Sequence, residues 1–119
     1  MDEDVRFAKD VPPEISMGQN GNDDAYEIVV GLTERPDDLW VRMFQEEGRE
    51  TFGGSGLPVP DVRMGTLRFE IRRDDLETYL DVLKGVVAAT NQKYAPAAEE
   101  AERRLERARV TLDNWLSSQ

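Results

Sequence analysis

The amino-acid sequence predicts an α+β fold, in which an antiparallel sheet of three to five strands is followed by two C-terminal helices packed on it. Within residues 25–72, apolar side chains alternate with polar ones at the period of a strand. Within residues 74–116, they recur at the spacing of a helix. A chain of 119 residues is long enough for one domain with its own core, so we treat residues 1–119 as a single domain.

The first 24 residues form a polar and interrupted N-terminal segment. Val5 and Phe7 alternate with their neighbours along one short stretch, and Ile15 and Met17 do so along another. A proline pair lies between the two stretches, and proline is found at sheet edges rather than in central strands. These stretches are therefore predicted to be short edge segments.

The clearest strand follows this segment, and its apolar side chains fall on one face. These side chains are Tyr26, Ile28, Val30 and Leu32. Residues 39–45 resume an apolar pattern after a break rich in proline and aspartate, which predicts a hairpin with a longer loop.

A glycine-rich stretch and a further strand complete the sheet region. Residues 47–61 contain four glycines and two prolines, and a connection of this length is typical of a mobile or functional loop. Residues 62–72 alternate cleanly between apolar and polar, which predicts a half-exposed antiparallel strand.

The C-terminal third is predicted to be helical. Asp74 and Glu77 have the spacing of a capping box, which marks the start of a helix near residue 74. Beyond Pro96, apolar residues step by three and four along a heptad-like seam. The seam consists of Ala98, Ala101, Leu105, Ala108, Leu112 and Trp115.

The length of this helical region raises a choice between two arrangements. An unbroken helix over residues 74–116 would be about 65 Å long, which exceeds the size of a compact chain of this length. We therefore expect the helical region to break near Pro96 and to fold back. The alternative is that a protruding part pairs with another chain.

Charge and composition exclude several classes of function. The net charge is −10, and residues 1–61 account for all of it with 15 acidic and 5 basic side chains. Such a surface disfavours nucleic acid and anionic membranes and suits a protein partner with a basic surface. The chain lacks His and Cys, which excludes imidazole and thiol catalysis and the usual zinc ligands. An acidic start without an apolar run predicts a cytoplasmic location.

Two stretches have the composition of ligand-binding motifs, but their residue spacing does not match those motifs. Oxygen-bearing side chains crowd residues 20–27, but the order of the EF-hand calcium loop is absent. The glycines of residues 53–56 lack the Lys-Ser/Thr of a phosphate-binding loop. We therefore predict no metal, no cofactor and no catalytic residue, with a carboxylate-based enzyme as the least favoured alternative.

The candidate partner-binding residues form two groups. Trp40, Arg42 and Phe44 lie on one face of the predicted strand, where Trp and Arg are frequent interface anchors. The other face of that strand is also apolar, so a central strand covered on both sides is the alternative. The acidic group is expected at the hairpin ends and consists of Asp23, Asp24, Asp37, Asp38, Glu46 and Glu47.

The function predicted first is an acidic protein-binding module that inhibits, neutralises or chaperones a basic or nucleic-acid-processing protein. The alternative is a structural module that pairs into a homodimer through the C-terminal helix. The side chains expected to form that contact are Ala101, Leu105, Ala108, Leu112 and Trp115.

Overall fold

The protein has an α+β fold, which confirms the predicted class. The computed structural model describes residues 5–8, 12–17, 24–33 and 36–119. Its elements in chain order are β1 (Glu14–Met17), β2 (Ala25–Gly31), α1 (Asp38–Gly54), β3 (Asp61–Arg63), β4 (Thr66–Arg72) and α2 (Leu76–Ser117), with a 3-10 turn at Arg73–Asp75.

The four strands form one antiparallel sheet with the order β1-β2-β4-β3. The central pair joins β2 to β4 over their full lengths, from Ala25 opposite Arg72 to Gly31 opposite Thr66. β1 lies at the edge beside β2, as its proline-flanked sequence predicts. A single bridge from Phe7 to Leu32 extends β2 toward the N-terminal stretch.

A tight hairpin divides the segment that was predicted to be one strand over residues 62–72. Met64 and Gly65 have φ angles of 47° and 82°, so both occupy the left-handed region. A two-residue turn with positive φ at both positions matches the right-handed twist of the strands it joins. The sequence signal for this turn is weak because methionine, which occupies its first position, rarely adopts positive φ.

Helix α1 corrects the prediction of a strand over residues 39–45 and of a mobile loop over residues 47–61. Trp40, Phe44 and Phe52 lie on one helical face at spacings of four and eight residues, and all three are buried. A strand would place Trp40, Arg42 and Phe44 on one face, whereas the helix buries the two aromatic residues and leaves Arg42 exposed. α1 also precedes β3 and β4 in the chain, so only one of the two helices follows the sheet.

Helix α2 corrects the prediction of a break near Pro96. It runs for 42 residues with Pro96 inside it. Proline removes one backbone hydrogen bond, and here its ring lies on the exposed side of the helix between strong helix formers. The predicted capping pair lies slightly too early, because Asp74 belongs to the 3-10 turn and the helix begins at Leu76.

The core lies between the sheet and the two helices. α1 runs antiparallel to the first half of α2, since Trp40 meets Asn91 at one end and Phe52 stacks on Tyr79 at the other. β4 contributes Leu67 and Phe69 to the same cluster. The second half of α2 extends past this body, and the molecule measures 67 × 31 × 25 Å.

Candidate interaction surface

Trp40 and Phe44 belong to the core, so they do not form the predicted surface anchor. Their exposed fractions are 1% and 0%, and their rings stack with centroids 5.2 Å apart. Arg42 is two residues away from each of them, on the exposed side of α1. Arg42 therefore does not share a face with the two aromatic rings, as the predicted strand would require.

Two of the predicted acidic residues accept hydrogen bonds that cap α1 and connect it to α2. One Asp37 oxygen accepts a hydrogen bond of 2.9 Å from the backbone N–H of Trp40 and caps the helix. The other oxygen accepts a hydrogen bond from the Tyr94 hydroxyl of α2. Glu47 accepts a hydrogen bond of 2.6 Å from Lys93, and this bond with the charge of Glu47 raises the pKa of Lys93. These carboxylates stabilise the packing of α1 on α2.

Asp24, Asp38 and Glu46 do not come together as predicted. Glu46 lies in the middle of α1, and Asp38 lies in its first turn, both on the exposed side. Asp24 is paired with Arg73 at 3.6 Å, beside the start of α2. Asp23 lies outside the described residues. The acidic clusters are thus separated along the molecule.

The projecting half of α2 carries the largest set of exposed apolar side chains that share one helical face. We call residues 97–117 the helical arm and keep the name seam for the six residues of the heptad-like row. Leu105, Leu112 and Trp115 of the seam are 62%, 54% and 57% exposed. All residues from 101 onward are exposed, including Ala101 and Ala108 of the seam. The predicted oligomerisation residues are therefore available to a partner.

The seam continues the face by which α2 packs on the body. Val87 is buried, Tyr94 is half-buried, and the next positions at intervals of seven are Ala101, Ala108 and Trp115. Asn91 contacts Trp40 of α1, and the next positions in its row are Ala98, Leu105 and Leu112. One helical face is thus covered by α1 in its first half and uncovered in its second half.

Charged residues flank the seam on both sides. Arg103 and Arg104 form ion pairs at 3.4–3.6 Å with Glu99 and Glu100 of the preceding turn. Glu102 and Arg109 form no ion pair with any other described residue, and both directly follow a seam alanine. These two side chains are placed to meet charges on a helix lying along the seam.

The part of the chain that the structure describes offers no alternative of comparable size. It contains no cluster of carboxylates able to hold a metal ion, and every buried side-chain polar atom in it has a hydrogen-bond partner. None of its helices is long and apolar enough to cross a membrane. Ile15 and Met17 are exposed on the edge strand β1, but they form only a two-residue patch.

Comparisons with protein-family models, with curated proteins and with solved structures find no match to this chain.

Proposed function

We propose that this protein is an oligomerisation module that pairs with a second copy of itself through the helical arm. The proposal rests on the seam, in which three large apolar side chains lie exposed on one face of a helix. Such a face is stable in water when another helix covers it. Continuity with the α1-covered face supports this proposal, because the same rows of α2 already pack against a helix nearer the body.

The stability of the arm supports the need for a partner. Seventeen helical residues, 101–117, are all exposed and project beyond the rest of the described chain. Isolated helices of about this length are marginal in water, and ion pairs between neighbouring turns add only about 0.2–0.5 kcal/mol each. Burial of each large seam side chain contributes up to roughly 1.5–3 kcal/mol. A paired arm is therefore far more stable than a free one.

Two matched substitutions in the arm test the proposal. Leu105 lies in the seam, and Val110 is a similar exposed apolar residue on the opposite face of the same helix. Leu105→Glu places a charge within the interface and is expected to convert the dimer into a monomer. Val110→Glu adds the same charge outside the seam and is expected to leave the dimer intact. The measurement is molar mass by light scattering at tens of micromolar.

The body should remain folded in both variants, because neither residue contacts it. A cooperative urea-unfolding transition, which reports the packed core, supplies this control. A wild-type chain that is monomeric, or two variants that behave alike, would contradict the proposal.

A second proposal concerns a partner with a basic surface, and charge supports it. The acidic excess of residues 1–61 leaves Asp38, Glu46 and Glu50 exposed on α1. A triple variant with these residues changed to their amides keeps the Asp37 cap and the Glu47 pair. A partner bound through this surface should be lost both at high salt and by the triple variant. Equal capture by the wild type and the triple variant would count against it.

A further inference from the structure

We propose that the two copies pair antiparallel in one register, which sets Ala98 opposite the partner's Trp115. This inference rests on the proposed function and specifies the arrangement of the two arms. In the same register, Ala101 lies opposite the partner's Leu112, and Leu105 lies opposite the partner's Ala108. Three observations support it: side-chain volume, charge, and the place where the arm leaves the body.

Side-chain volume favours the antiparallel register. In an antiparallel helix pair, each residue of one seam row faces a residue of the other row on the partner. Every one of the six layers then joins one alanine to one large side chain. A parallel pair sets each residue against its own copy, so three layers would join alanine to alanine and one would join Trp115 to Trp115. The antiparallel register fills the interface evenly, as close packing requires.

Charge favours the same orientation. In the antiparallel register, Glu102 of each copy lies beside Arg109 of the other, which gives two attractive contacts across the interface. In a parallel pair, Arg104 of each copy would instead lie beside Arg109 of the other. That orientation carries two repulsive contacts. The charges beside the seam thus distinguish the two orientations.

The length of the arm fits this register. When Ala98 faces the partner's Trp115, the last helical residue, Ser117, lies level with the partner's Pro96. At that point α1 begins to cover the partner's α2, as the contacts of Asp37 with Tyr94 and of Trp40 with Asn91 show. α1 is itself antiparallel to α2. Each arm therefore lies along the same face of the partner's α2 that the partner's α1 covers, and it runs in the same direction as that α1.

A distance measurement between spin labels tests the orientation. The chain has no Cys, so Ser117→Cys gives one label at the end of the arm on the side away from the seam. In the antiparallel register, the two labels of a dimer are separated by about 32 Å along the helix axis. In a parallel pair they lie level with each other, separated only by the width of two helices, about 20–25 Å.

The outcomes of this experiment separate the two proposals. A label distance beyond 30 Å in a sample of dimeric mass is the expected result. A dimeric mass with the short distance would overturn the antiparallel register and leave the oligomerisation module standing. A monomeric mass would overturn both.

A charge reversal provides a second test of the register. Arg109→Glu sets two carboxylates beside each other in the antiparallel pair, and we expect the dissociation constant to rise roughly five- to tenfold. The double variant Glu102→Arg with Arg109→Glu restores opposite charges and should bind like the wild type. In a parallel pair, Arg109→Glu would remove a repulsion and tighten the dimer. A tighter or unchanged dimer would therefore overturn the register.

Discussion

Asn91 shows how one half-buried amide holds three parts of the molecule together. Its Oδ1 accepts hydrogen bonds from the Trp40 indole at 2.9 Å and from the backbone N–H of Val5 at 3.2 Å. Its Nδ2 donates to the backbone oxygen of Val5 at 2.8 Å. The sequence gives no sign of this role, because a lone polar residue on a helix is usually solvated. Its partners lie 51 and 86 residues away in the chain.

Replacement of Asn91 is expected to destabilise the fold. Asn91→Leu keeps the volume but leaves the buried indole N–H without an acceptor, which costs about 1–3 kcal/mol. Loss of the bonds to Val5 adds to this cost. The neighbouring Gln92 is exposed, so Gln92→Leu is the matched control and should stay within about 0.5 kcal/mol of the wild type. Urea unfolding measures both variants, and equal stability of the two would contradict this role.

Tyr79 is the described core residue whose side-chain pKa departs most from its usual value. It is fully buried, stacks on Phe52, and donates a hydrogen bond of 2.9 Å to the backbone oxygen of Pro58. Burial raises the pKa of Tyr79 because the ionised phenolate is poorly solvated there. The sequence does not reveal its hydrogen bond to the loop after α1.

The raised pKa of Tyr79 makes stability depend on alkaline pH. The folded state keeps the proton above the unfolded pKa of about 10, so this contribution is complete below pH 10 and declines as the pH rises further. Tyr79→Phe should lower stability by about 1 kcal/mol at neutral pH and make the decline above pH 10 shallower. The raised pKa of Lys93 also makes stability decline at alkaline pH. Tyr79→Phe removes only the contribution of Tyr79, so comparison with the wild type separates it from that of Lys93. Unfolding free energies from pH 8 to 11 measure this, and an unchanged slope would contradict it.

At the scale of elements, the turn between β3 and β4 holds its first residue in a disfavoured conformation. Met64 has a φ of 47° and is 82% exposed, so its side chain contributes little packing in return. Asparagine tolerates positive φ better, and Asn-Gly is the preferred pair in such turns.

Met64→Asn is therefore expected to stabilise the protein by about 0.5–1 kcal/mol. The paired control is Gly65→Ala in the same turn, which introduces a side chain at a φ of 82° and should destabilise the protein by about 1 kcal/mol or more. Thermal unfolding of the two variants measures these effects. A destabilising Met64→Asn would show that the turn is not strained.

The elements also show how far the sequence predicts this fold. β4 follows from strict alternation, because its residues are covered and exposed in turn. β2 follows from its apolar residues at every second position, although none of its residues is fully exposed. Residues 39–45 are apolar on both faces of a strand, and that short pattern suits a buried helix equally well. Only the recurrence at Phe52 extends the helical face, and it lies among glycines that suggest a loop. Gly48 lies close to that ring, since a Cβ at this position would be 3.3 Å from the Phe52 side chain.

The expected break in α2 rests on the assumption that the chain is compact. The molecule is elongated instead, because the second half of α2 projects beyond the body. A chain that folds alone buries its apolar faces within itself. A 42-residue helix is longer than a compact chain of this size, so it cannot be covered along its full length. The residues of the seam lie on one helical face, as their spacing predicts, and those from Ala101 onward are exposed. The pairing of a protruding part with another chain stays a prediction. The length of α2 leaves the second half of this face outside the body.

At the scale of the whole molecule, the protein consists of a compact body and a projecting arm. The described members of the core belong to residues up to Tyr94. The arm beyond them has nearly balanced charge, whereas the body carries the acidic excess. This division suits a dimer in which the arms overlap and the two acidic bodies lie at opposite ends, which keeps like charges far apart.

The most direct test of this account is sedimentation equilibrium of the wild-type chain over a hundredfold range of concentration. Pairing of the arms predicts a reversible equilibrium that reaches twice the chain mass of 13.5 kDa at tens of micromolar. It also predicts that Leu105→Glu remains at the single-chain mass over the same range. A wild-type chain that stays at the single-chain mass throughout would contradict the pairing of the helical arms.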